Sequence, residues 1–201
     1  MISGLLRMAA PKGRGARKSI GSGGFTLAEV LIALGLMSIF MAAVIGLFFS
    51  IETSYATQNA AAGLQQVVRT GMDIMTHSIR MAGFNPTKMG GVGFLADSTE
   101  SFIHFSYDLD LDSTLDTNED IAYMLEDNKL KLQSSGGNKI TLIDNVSELK
   151  FSYLNQDGET AENVQDIKSV VISLVASAPA GRKQMITRSY ATRVICRNAG
   201  L

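Results

Sequence analysis

The chain has 201 residues, 46% of them apolar, a length and composition that support one soluble domain plus one apolar anchor. Its formal net charge of −1 hides an asymmetry, because the first 24 residues hold Arg7, Lys12, Arg14, Arg17 and Lys18 and no acid, leaving 13 basic and 19 acidic residues in the remainder. An acidic body argues against nucleic-acid binding, which needs clustered Lys and Arg on a shared surface, and the single cysteine, Cys196, excludes an intramolecular disulfide and any CxxC redox or zinc site.

From Phe25 to Ile51 the chain reads FTLAEVLIALGLMSIFMAAVIGLFFSI, 27 residues with one ionisable side chain, Glu29. A helix crosses a bilayer with about 20 apolar residues, and the basic residues ahead of this run hold the N-terminus in the cytoplasm by the positive-inside rule. A secretory signal peptide has an apolar core of only about 7 to 15 residues, and the one tolerable cleavage site for it, Ser54-Tyr55-Ala56, lies beyond the run. Glu29 is costly for a plain anchor, since insertion scales charge about 2.5 to 3.5 kcal/mol for an acid at mid-membrane.

Gly23-Gly24-Phe25-Thr26-Leu27-Ala28-Glu29, followed by Val30-Leu31-Ile32-Ala33-Leu34, resembles the cleavage and methylation motif of type IV prepilins. The resemblance implies cleavage after Gly24 by a prepilin peptidase, N-methylation of Phe25, and pairing of Glu29 with the new α-amino group of a neighbouring subunit. It further implies other pilins and an inner-membrane assembly platform as partners. The expected location is a bacterial inner membrane, single-pass with a periplasmic head, and then the pilus surface. Where many major pilins carry a helix-breaking proline this chain has Gly46.

Beyond Ser50, apolar or small residues recur at Leu64, Val67, Val68, Gly71, Ile74, Met75, Ser78, Ile79 and Ala82 with the spacing of an amphipathic helix. The pattern stops at Gly83, ahead of Asn85-Pro86. One helix over 27–82 has a length of about 84 Å at 1.5 Å per residue. Met72, Met75 and Met81 are assigned to packing, His77 is read as carrying no metal, and Gly90-Gly91-Val92-Gly93 as a crossover.

Short β-like runs follow at 102–107, 121–125, 129–133, 139–143, 148–154, 167–176 and 185–197, with turns at Gly136-Gly137 and Asp157-Gly158. They predict a largely antiparallel sheet packed on the helix, an α+β fold. The domains expected are a leader (1–24), a membrane or filament-core helix (25–51), an amphipathic helix (52–83) and a β-rich head (84–201). The runs Asp144–Tyr153 and Val170–Leu174 and the closing Arg197-Asn198 are similar to the heads of PilW-like minor pilins and of J-type pseudopilins from type II secretion.

Within the head, Asp108, Asp110, Asp112, Asp116 and Glu119 take positions 1, 3, 5, 9 and 12 of a calcium loop, with the Thr114 carbonyl at position 7. Ca²⁺ relieves the repulsion among such carboxylates, although Ser113 stands where that loop has glycine for a sharp turn. A solvated acidic hairpin is the alternative. Arg182, Lys183, Arg188, Arg193 and Arg197 form a basic stretch of opposite sign, either solvated or complementary to acidic partners. Two histidines and one cysteine leave no catalytic set to assemble, so a structural subunit is expected and not an enzyme. The resemblance implies a minor type IV pilin of pilus assembly or priming; the alternatives are a minor pseudopilin of type II secretion and, from a different class, a signal-anchored periplasmic binding domain.

Overall fold

A computed structural model describes residues 23–86, 90–112, 114–135, 137–181 and 184–198. The basic leader residues, Ser113, Gly136, Arg182 and Lys183 lie outside this set. The chain divides into two units, 1–47 and 48–201.

Helix α1 spans Leu27–Met81. Thr26 caps it: its carbonyl accepts from Val30 N at 3.2 Å, and its hydroxyl accepts from Glu29 N at 3.3 Å. In the first unit every described residue is exposed, and Leu27 to Ile51 is apolar apart from Glu29, Ser38 and Ser50. Ser38 satisfies its hydroxyl on Gly35 O at 2.8 Å, which lets it lie in an apolar medium. At about 37 Å for Leu27–Ile51, the segment exceeds the hydrocarbon core of a bilayer, about 30 Å. This helix is long and apolar enough to cross a membrane.

In the second unit, α1 buries Leu64, Val68, Gly71, Met72, Met75 and Ile79. This stripe is narrower than expected. Val67 and Ile74 are 47% and 39% exposed, because each sits one residue, about 100° of rotation, off the face turned to the sheets. The helix ends where Gly83 enters the left-handed region (φ 76°) and donates its N–H to Ser106 O at 3.0 Å, an end that favours glycine.

Among the described residues seven strands follow, each overlapping a predicted run. β1 (Phe102–Ser106), β2 (Asp120–Glu126), β3 (Lys129–Ser134) and β4 (Ile140–Ile143) form an antiparallel sheet in chain order. Asp127 and Asn128 join β2 to β3 with φ of 52° and 57°, the positive pair that matches a hairpin's right-handed twist. β5 (Val146–Leu154), β6 (Ser169–Pro179) and β7 (Met185–Ile195) form a second antiparallel sheet, also in chain order.

The head therefore holds two sheets where alternation predicts one. Only Asp144-Asn145 separates β4 from β5, yet the two strands do not pair. Asn145 turns the chain at φ 55°, and Val146 N then bonds Asn128 O at 2.8 Å while Phe151 N bonds Glu100 O at 2.7 Å. Both sheets and α1 share one core, whose fully buried members include Phe105, Tyr123, Phe151, Met75, Ile79, Leu130, Ile143 and Ile172. Burying each such side chain stabilises by about 1.5 to 3 kcal/mol. Tyr123 ties helix to sheet through a 2.7 Å hydrogen bond with Ser78 Oγ. Among the described residues, no buried side-chain N or O lacks a hydrogen-bond partner.

Candidate functional site

Three places in the chain carry chemistry. The first is the N-terminal approach to α1. Gly23, Gly24, Phe25 and Thr26 are exposed and non-helical, and a Cβ at either glycine meets nothing within 4 Å. The bond between Gly24 and Phe25 thus lies in open backbone just ahead of a rigid helix, as a protease needs. Glu29 Oε2 accepts from Thr26 N at 2.8 Å and from Thr26 Oγ1 at 2.9 Å. With the Glu29 N to Thr26 Oγ1 bond, these close a reciprocal capping box of the T-x-x-E type. Thr-Leu-Ala-Glu carries that signature in plain sight, but its carboxylate also has the membrane cost to explain, and that cost draws attention first.

The second place is the acidic loop between β1 and β2. Asp108, Asp110 and Asp112 each bring a carboxylate oxygen within 4.8 Å of the others. Asp108 is fully buried and the other two are exposed. Asp116 and Glu119 are not in that group. Glu119, 3% exposed, accepts from the backbone N–H groups of Leu109 (2.6 Å) and Asp110 (3.2 Å) through Oε1, and of Asp116 (3.2 Å) through Oε2. It is the knot of the loop. Thr114 donates its hydroxyl and its N–H to Asp112 Oδ1, both at 2.7 Å, and those bonds lower the Asp112 pKa. Asp110 is raised, by desolvation and by the nearby carboxylates of Asp112, Glu119 and Asp116. The carboxylates of Asp108, Asp110 and Asp112 are hard oxygen donors of the kind a divalent cation takes.

The third place has no signature in the sequence. His104 on β1 is clamped between two acids, with Nδ1 2.9 Å from Asp97 Oδ2 and Nε2 2.5 Å from Asp120 Oδ1. The trio lines a small pocket with Phe102, Ala122 and Gln133. Asp97 and Asp120 lie on either side of His104 in the chain, and only the β1–β2 register brings Asp120 alongside. Burial pushes the imidazole pKa down, but hydrogen bonds and charge from Asp97 and Asp120 outweigh it, and the net shift is upward. A raised folded-state pKa means the charged ring stabilises the fold. That contribution is complete below the unfolded value of about 6.5 and is lost as pH rises through the higher folded value. The melting temperature of the wild-type chain should therefore fall across that window relative to His104→Gln; parallel curves for the two would refute the clamp.

Cys196 is buried, and burial pushes its thiol up to about 12. His77 is exposed on α1. Of the basic stretch, Arg188, Arg193 and Arg197 are described and exposed, and Arg193 Nε donates to Ser169 Oγ at 3.0 Å.

The family described as PpdB, prepilin peptidase-dependent protein B, matches residues 57–195. No curated protein matches the chain.

Proposed function

The chain belongs to the prepilin peptidase-dependent protein B family, and from that membership we propose that it is a minor type IV pilin, a non-enzymatic subunit cleaved after Gly24 and methylated on Phe25. The observation that carries the reading is the motif Gly23–Glu29 opening a long apolar helix. This motif lies wholly outside the matched residues 57–195, so two separate stretches of chain point the same way. Glu29 is then the residue that registers the helix against neighbours, through the α-amino group of an adjacent Phe25. The partners are the peptidase, other pilins and an inner-membrane assembly platform, with the head in the periplasm and later at the cell surface.

Mass spectrometry of the protein purified from cells with an active prepilin peptidase should show a chain beginning at N-methylated Phe25. A chain that keeps Met1, or one that begins at Thr57, overturns the proposal and supports a signal-anchored binding domain.

Ca²⁺ at Asp108, Asp110 and Asp112 is a second element of the reading, favoured by the convergence of three carboxylates. Millimolar Ca²⁺ should raise the melting temperature of the wild-type chain and leave that of Asp110→Ala unchanged. An unmoved wild type leaves the loop as a solvated acidic turn.

A further inference from the structure

Two sheets present four edges among the described residues, and three of them are covered, partly covered or short. β1 is covered by the segment before it: Leu95 N bonds His104 O at 2.9 Å and Ser106 N bonds Gly93 O at 2.9 Å. β5 is partly covered, with Phe151 N on Glu100 O at 2.7 Å and Ala161 N on Tyr153 O at 2.9 Å. β4 has only 4 residues and a register shift opposite it at Leu130/Lys131. β7 differs from all of these. It runs 11 residues and pairs with β6 without a break from Ser169↔Ile195 to Pro179↔Met185.

The bonds that close this ladder fix which backbone groups are free. Ala180 N bonds Gln184 O at 2.8 Å and Cys196 N bonds Lys168 O at 2.9 Å, so the even-numbered residues of β7 are the ones that exchange hydrogen bonds with β6. In an antiparallel pair the alternate residues point N–H and C=O the other way. Met185, Thr187, Ser189, Ala191, Arg193 and Ile195 therefore present an open ladder, and all six are exposed. Among the described residues, the partner seen on that side is Arg188 Nη1, 3.4 Å from Thr187 O.

Natural sheets blunt long edges with prolines, bulges, short strands or charges. β7 has no proline and no bulge; its one device is charge, and the charge has a single sign. Arg188, Arg193 and Arg197 lie on or beside the strand, and no acid occurs from Met185 to Asn198. A second copy laid antiparallel on the same edge brings only arginines together, which is repulsive across a ladder. An acidic strand meets complementary charge.

We propose that the free edge of β7 is a docking site that adds an extended acidic segment of a different polypeptide to the second sheet. Main-chain hydrogen bonds supply the affinity, and the positive charge of the strand, led by Arg188 whose guanidinium lies along the free edge at Thr187 O, chooses the partner. This rests on the edge itself and is independent of cleavage or filament assembly.

The test uses the full chain in detergent and two labelled extended peptides, one alternating Glu with Val and one alternating Lys with Val. The Glu peptide should bind about tenfold or more tightly than the Lys peptide, and should slow hydrogen exchange at the amides of Thr187, Ser189, Ala191 and Arg193. Ala191→Pro removes one outward N–H while sparing the ladder to β6, and should abolish binding. The double change Arg188→Glu with Arg193→Glu should reverse the peptide preference, which keeps the test decisive if Ala191→Pro fails to fold. Equal binding of the two peptides, binding without protection of those amides, or self-association through β7 overturns the proposal.

Discussion

Glu29→Gln is expected to be cleaved normally after Gly24 and yet to be lost from filaments, by more than about a hundredfold against wild type, as Glu29→Ala is. The scale follows from removing one partner of a desolvated charge pair, about 3 to 5 kcal/mol. The two substitutions separate two roles for one carboxylate. Within the chain, Glu29 accepts from Thr26 N and Oγ1, and a glutamine at the same helical position serves a capping box as well. Pairing with a neighbour's amino group needs the negative charge, which glutamine lacks. Immunoblots of sheared filaments and of whole cells read the outcome. If Glu29→Gln incorporates like wild type while Glu29→Ala does not, the side chain matters only as a helix cap, and intersubunit pairing is refuted.

The second large effect concerns the head. A Cβ on Gly71 stands 2.6 Å from Ile143 Cδ1 and 2.8 Å from its Cγ1, and Ile143 is 1% exposed, with little room to yield. Alanine gains about 1 kcal/mol of helix propensity over glycine, which partly offsets this clash. Leucine adds further carbons in the same space, so Gly71→Leu should destabilise by about 3 kcal/mol, lowering the melting temperature by roughly 10 °C for a unit of this size. Gly63, on the same helix with nothing within 4 Å of a Cβ, is the control: Gly63→Ala should leave the melting temperature unchanged or raise it. A Gly71→Leu chain that melts with wild type places Ile143 away from the helix and refutes the packing described.

Local features of this fold are legible because they depend on near neighbours. Alternation and turn residues place all seven strands, with ends shifted by a few residues, as where β6 begins at Ser169 instead of residue 167. The i, i+3, i+4 pattern likewise carries α1 to Met81. The division into two sheets is not legible. Val146 and Ile143 have the same character whether their strands pair or cross, and only long-range bonds such as Val146 N to Asn128 O decide. The candidate sites divide in the same way. Gly24, Phe25 and Glu29 fall within six consecutive residues and stand out through the prepilin motif that this stretch resembles. His104 becomes notable only once the register sets Asp120 beside it, and the hold of Glu119 on the backbone N–H groups of Leu109, Asp110 and Asp116 comes only with the folded loop.

The buried thiol of Cys196 has a consequence for labelling the protein. Burial pushes its pKa up to about 12, and the thiolate is the species that attacks disulfides. The folded chain therefore keeps this cysteine as an unreactive thiol and out of mixed disulfides. A cysteine introduced on an exposed face, such as Ser189→Cys, then takes a maleimide label as if it were alone in the chain.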